Sequence, residues 1–231
     1  MAEKQPAQRA NTRQQLLLAA EQLFAESGID AVSLRQINVA AGQKNSSAAH
    51  YHFGSKEALI LAIYGTRMAS VNDRRQLALE AIVTHANSHN VRELVAALVN
   101  PIVAEIDTDD SGQHYIRFMA QAMGHPQLNL LELWRQEHND GLVRLVQLLR
   151  EALPDIPEPL LSQRFGLAWE QIIHSLADRE KLRRAAKKSF KVNSALFVNN
   201  LIDVIAGAMS ADVSEQTRAE LKQSTDGFKA P

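Results

Sequence analysis

The sequence predicts an all-α protein, with a three-helix amino-terminal head carrying a helix-turn-helix and a larger helical body behind it. Apolar residues recur at helical spacing from Leu16 onward. Six glycines and prolines (Gly28, Gly42, Gly54, Pro154, Pro157, Pro159) fall between periodic stretches, while Pro101 lies inside one and is expected to kink it. No stretch alternates apolar and polar residues as a half-buried strand does.

Residues 1–11 are polar, include Pro6, and read as a flexible arm. Residues 12–55 read as the head. Thr12 can cap a first helix whose Leu16, Leu17, Ala20, Leu23 and Phe24 share one face and which Gly28 ends. Ser33 followed by Gln36 reads as a capping box that starts a second helix, running only to about Ala41 because Gly42 follows. Asn45 or Ser46 can cap a third helix that ends near Phe53, before Gly54. Two short helices joined by a tight glycine turn make a helix-turn-helix.

Residues 56–211 read as the body. Ser55 caps a long fourth helix, with Glu57 well placed for the helix dipole and Leu59, Ile60, Ile63, Tyr64 and Met68 at its apolar positions. Asn90 starts another helix, Asp107 to Gln113 reads as an acidic loop, and a short helix spans about Ile116 to Met123. Longer helices are expected over Leu128–Leu153, Leu160–Leu182 and Asn193–Met209, the last apolar around most of its girth. Residues 212–231 read as a frayed tail.

Composition narrows the function. The chain has 231 residues, no cysteine and a formal net charge of −1, so thiolate chemistry and disulfides are excluded. Met1 to Arg13 lacks the apolar segment of a signal peptide, and no uncharged apolar run approaches the roughly 20 residues that span a bilayer. A cytoplasmic protein without a membrane partner is expected. Nucleophile elbows, zinc-protease helices and phosphate-binding loops are missing, so no catalytic residue, metal site or cofactor is expected. His50 and His52 point apart on a helix. His85 and His89 have metal-like spacing but read as a polar connector. The basic run from Arg179 to Lys191 reads as a solvated or partner-facing surface.

The charge balance of the head is only five against four over the first 55 residues, so a nucleic-acid reading rests on placement. A recognition helix must present short hydrogen-bonding side chains to base edges, and Asn45, Ser46, Ser47 and Ala48 form such a leading end. His50 and Tyr51 lie one turn later, within reach of a phosphate or base edge, and Gln43 and Lys44 occupy the turn. Ala49 and Phe53 take the inward face.

Over residues 12–60 the chain resembles the DNA-binding head of the TetR family of regulators. The resemblance is carried by Thr12-Arg13, Leu17, Ala19-Ala20, Leu23-Phe24-Ala25-Glu26, Gly28, Ser33, Ile37, Ala40-Ala41-Gly42, Tyr51-His52-Phe53 and Ser55-Lys56-Glu57-Ala58-Leu59. It departs from the common pattern at Gln43-Lys44-Asn45, where the turn holds one residue more, and at His50, where a tyrosine is usual. The resemblance implies that Lys56 neutralises a phosphate and that Arg35 touches DNA. It also implies a homodimer on an operator duplex, most often a repressor released by a small molecule.

The implied dimer surface is the last two long helices, with Phe165, Trp169, Ile172, Ile173, Leu176, Phe197, Leu201 and Ile205 as candidates shared with the core. Met68, Phe118, Met119, Trp134 and Trp169 are candidates to line a pocket for an apolar effector, against plain core packing. Two alternatives stay open: a regulator controlled by a protein partner, and a helical enzyme with a vestigial head.

Overall fold

The apolar spacing that opens at Leu16 becomes one long first helix in the computed structural model of the chain, which describes residues 4–84, 90–108, 110–126, 128, 139–185 and 194–226. Helix α1 (Lys4–Ser27) buries Leu16, Leu17, Ala20 and Phe24 on one face. It starts well before Thr12, so most of the expected arm is helical from Lys4 on. Ala7, Gln8, Arg9 and Ala10 are good helix formers, and Pro6 sits in the first turn, where its missing N–H leaves no bond unmade.

Helix α2 (Leu34–Ala40) begins with the expected capping box: the Ser33 hydroxyl accepts from the Gln36 amide, and the Gln36 side chain accepts from the Ser33 amide at 2.8 Å. Helix α3 (Ala48–Phe53) is a turn and a half long. Helix α4 (Lys56–Thr84) then leaves the head and enters the body, burying Leu59, Ile60, Ile63, Tyr64 and Met68 on the way.

The body continues with α5 (Val91–Ile106), α6 (Asp110–Met123), α7 (Asp140–Ala152), α8 (Glu158–Ala185), α9 (Ser194–Ser210) and α10 (Glu215–Asp226). Helix α4 packs on α5 and α7, and α9 packs on α5 and α8. Helix α6 lies between α1 and α8, so the head's first helix rests directly on the body. One continuous apolar cluster runs from Leu16 to Met209.

Several expected boundaries move. Helix α6 starts at Asp110, inside the expected acidic loop. No helix runs unbroken from residue 128 to 153, because Asn139 stands outside α7 and precedes it as the cap residue; Asn-Asp-Gly is a turn and cap sequence, which the apolar period on either side hides. Part of the expected tail is helical, with the Ser214 hydroxyl accepting from the Thr217 amide to start α10. Its apolar positions are too sparse for periodicity to reveal it. His85, His89, Trp134 and the basic residues from Lys187 to Lys191 lie outside the described residues.

Among the described residues no single helix is long and apolar enough to cross a membrane. Helices α9 and α10 meet that measure only as a pair bent by 58°.

Candidate nucleic-acid interface

Asn38 holds the two short helices of the head together from behind. Its side chain is buried, its Nδ2 donates to the Ser46 carbonyl, and its Oδ1 accepts the Ala49 amide at 2.8 Å. One side chain thus satisfies both ends of the turn, while the Gln43 amide donates to the Asn38 carbonyl at 2.9 Å. Sequence periodicity gives no sign of this role, because a buried asparagine looks like any polar residue on a helix. Gly42 has φ +65° and Gly54 φ +78°, left-handed conformations that close the turn and end α3 at little cost only for glycine.

The leading edge of α3 is exposed and polar: Lys44 and the shorter Asn45, Ser46 and Ser47 all reach solvent. Ser47 occupies the cap position without a side-chain cap bond. Asn45, in place of capping the helix, accepts the Ser47 amide at 2.9 Å and shapes the turn. His50 is exposed, and Tyr51 is 67% exposed, with its ring edge-on to His52. Tyr51 therefore does not pack on α4. Arg35 is exposed on α2, and Val39, one turn later on the same face, is exposed as well.

Three candidates have other employment. Ala48 is 7% exposed and packs in the head core beside Ala49, so its side chain does not belong to the DNA-facing set. The side-chain Nε2 of Gln43 donates to the Gln15 side chain of α1 and to the Ala41 carbonyl, both at 3.0 Å, which ties the turn to the first helix. Lys56 is half-buried, with its Nζ 5.9 Å from the centre of the Phe24 ring. Its position in the first turn of α4 still sets its charge at the edge of the head. Arg13 reaches the same region from α1, with its guanidinium 5.3 Å from the Phe53 ring centre.

A buried ion cluster joins this head to the body. Arg67 of α4 binds Glu21 of α1 through two nitrogens at 2.8 and 2.9 Å, Glu105 of α5 at 2.9 Å, and the Ser111 hydroxyl of α6 at 2.6 Å. Glu105 also accepts from Ser70 and Arg74. Burial alone would push the Arg67 pKa down, but the bonds to Glu21 and Glu105 outweigh it and raise it above the usual arginine range. A second joint lies at the far end of α1. There His125 meets Asp30 at 3.0 Å, which holds the Asp30 carboxyl below its ordinary value, and Gln121 donates to the Ala25 carbonyl.

The body candidates fall mostly inward. Met68, Phe118, Met119 and Trp169 are buried, with Phe118 stacked 6.0 Å from Phe24, and they pack as core. Two clefts of the body have other walls. One of about 430 Å³ lies between α7 and α8, with Val146, Leu149, Leu161 and Phe165 among its lining; another of about 420 Å³ lies between α4 and α5. Phe165, Trp169, Ile172, Ile173, Leu176, Leu201 and Ile205 are likewise buried within the single chain, and Phe197 is half-buried. Apart from Phe197, they have too little exposed surface to form the contact face of a partner that docks on the outside of α8 and α9. The large apolar residues those helices turn outward are Leu167, Leu182, Leu196 and Val204.

Comparison with known proteins agrees with this architecture. The family model described as bacterial regulatory proteins of the tetR family matches residues 16–63, and the tetracyclin repressor-like C-terminal domain matches residues 96–208. The HTH-type transcriptional repressor AcnR of Corynebacterium glutamicum is 41% identical over 64 residues, 26% of this chain and 34% of AcnR. The AcnR of Corynebacterium efficiens is 42% identical over 53 residues, 23% of this chain and 28% of its own. These matches span about a third of the curated relatives at most. A structure from Marinobacter aquaeolei, a TetR family transcription regulator, superposes with a TM-score of 0.55 at 17% identity, covering 88% of this chain and 97% of that one. One from a Shewanella species, assigned to the same family, gives a TM-score of 0.61 at 17% identity over 85% and 97%. With one family model on the head, a second on the body, and the shared fold between them, the chain belongs to the TetR family.

Proposed function

We propose that the chain is a sequence-specific DNA-binding transcriptional regulator, a cytoplasmic homodimer that represses until a small molecule bound in its body releases it. The observation that carries this reading is the exposed leading edge of α3, Asn45 to Ser47 with Tyr51 behind it, held rigid by the buried Asn38. Short polar side chains on a fixed helix end can enter a major groove and hydrogen-bond to base edges. The named repressor that the head matches supports the sign of regulation.

Dimerisation is supported by the outward faces of α8 and α9. Leu167 is 66%, Leu196 67% and Val204 46% exposed, an apolar surface that a second copy would cover. Two recognition helices must lie about 34–36 Å apart to enter successive grooves on one side of a duplex. A ligand that favours another spacing lowers DNA affinity by its own preference for that state.

The test is operator binding by fluorescence anisotropy, on sites selected from a genomic library. Tyr51→Ala and Lys56→Ala should each weaken binding about tenfold while leaving the dimer and helical content intact. Lys56→Ala should also reduce the salt slope by about one unit. Unchanged binding in both variants, or equal affinity of the parent protein for every duplex, overturns the reading.

A further inference from the structure

Two turns beyond Arg67 on the same helix, Arg75 is 1% exposed and in the opposite situation. Among the described residues its Nε and one terminal nitrogen have no hydrogen-bond partner, and neither does the hydroxyl of Tyr115, which α6 buries completely. Burial lowers the Arg75 pKa from the usual arginine range to about 10; the groups that act against this are the phenols of Tyr64 and Tyr115, and no carboxylate of the described residues takes part. The buried carboxylates of α1 and α5, Glu21 and Glu105, are already engaged by Arg67, Arg74 and Ser70. A guanidinium in this position is unfavourable for folding, and a methionine would fill similar volume without the desolvation cost.

The unpaired atoms match one kind of guest. Nε and a terminal nitrogen form one edge of the guanidinium fork, which donates two parallel bonds to the two oxygens of a carboxylate. The Tyr115 hydroxyl supplies a third donor. A single cation suits a single negative charge. Most other buried positions of these two helices are apolar, with Val71 and Leu79 on α4 and Phe118 and Met119 on α6, and the one further buried polar side chain, Asn72, is engaged by the Gly141 amide. We propose that Arg75 and Tyr115 form the head-group site for a small organic carboxylate with an apolar tail, a site seated between α4 and α6.

The site adjoins the joint between head and body. The guanidinium of Arg67, which holds Glu21 of α1, lies 5.8 Å from the centre of the Tyr115 ring. A carboxylate that draws on the Tyr115 hydroxyl therefore acts one ring away from the ion cluster that orients the head. This coupling rests on the regulator reading above. Binding of the carboxylate does not.

The experiment is a thermal-shift and calorimetric titration of the full chain, without DNA, against aliphatic carboxylates from acetate to decanoate, with octanamide and inorganic phosphate as controls. Octanoate should raise Tm saturably. Octanamide should bind at least tenfold more weakly, and phosphate should have no effect. Arg75→Met should fold with a Tm at or above that of the parent and lose at least tenfold in octanoate affinity. Tyr115→Phe, which removes one oxygen only, should lose several-fold. The proposal is overturned if no carboxylate shifts Tm, if phosphate replaces octanoate, or if either variant binds octanoate as the parent does. Carboxylate binding without any operator binding would sink the regulator reading and leave this site standing; operator binding without a carboxylate response would do the reverse.

Discussion

Arg67 and Arg75 lie on one face of one helix, and the protein treats them in contrary ways. Arg67 is surrounded by Glu21, Glu105 and Ser111 from three other helices. Arg75 is more deeply buried and has two nitrogens without a partner. The first arginine is a structural bolt between the head and the body. The second is an expense that the fold alone does not explain. The lesson is that burial of a charge says little about its role until its partners are counted: a satisfied cation fixes a geometry, whereas an unsatisfied one points to a missing anion.

The comparison can be broken most sharply at Arg67. Arg67→Met leaves Glu21 and Glu105 buried beside too few cations, and should cost about 3–5 kcal/mol of stability in urea denaturation. A loss below about 1 kcal/mol would mean that the cluster is not the bolt described. Asn38 tests the same principle without charge. Asn38→Leu strands the Ala49 amide and the Ser46 carbonyl, with an expected loss of about 1–3 kcal/mol. Faster hydrogen exchange at Ala49 should accompany it, and unchanged exchange would remove Asn38 from its role. At Arg75 the sign should change, since Arg75→Met removes a desolvated charge and strands no carboxylate. Its urea midpoint should equal or exceed that of the parent. A loss as large as that of Arg67→Met would erase the distinction.

The smallest effect concerns a carboxylate at the exposed end of the scale. Glu57 accepts its own backbone amide and the Ser55 hydroxyl at the start of α4, which lowers its pKa below the ordinary 4.5. A carboxyl with a depressed folded pKa contributes stability above its unfolded value and loses it as pH falls through the folded one. Glu57→Gln should therefore flatten the acid limb of Tm against pH below about 4.5, by well under 1 kcal/mol because the site faces solvent. A parallel acid limb in parent and variant would show that the interaction contributes nothing.

Much of the head was legible before any coordinates. The face from Leu16 to Phe24, the Ser33–Gln36 capping box and the turns at Gly42 and Gly54 rest on contacts within a few residues, which sequence spacing reports directly. The exposed edge from Lys44 to Ser47 and the exposed Tyr51 follow the same local logic, while Ala48 and Gln43 do not, because the turn rotates one into the core and bonds the other to α1. Helical period also found the apolar positions of α8 and α9. It could not tell which of two apolar faces meets the chain's own core, so Phe165, Trp169, Ile172 and Ile173 turned out to face inward and Leu167 outward.

By itself the sequence determined helix class, head architecture and family, since these are set by local spacing and by short patterns read in order. Only the tertiary structure decided which polar residues have partners. Arg67 finds Glu21 and Glu105 at separations of 46 and 38 residues, and two nitrogens of Arg75 find no partner among the described residues. Such pairings depend on how helices cross, a property of the packed body that no window along the chain contains.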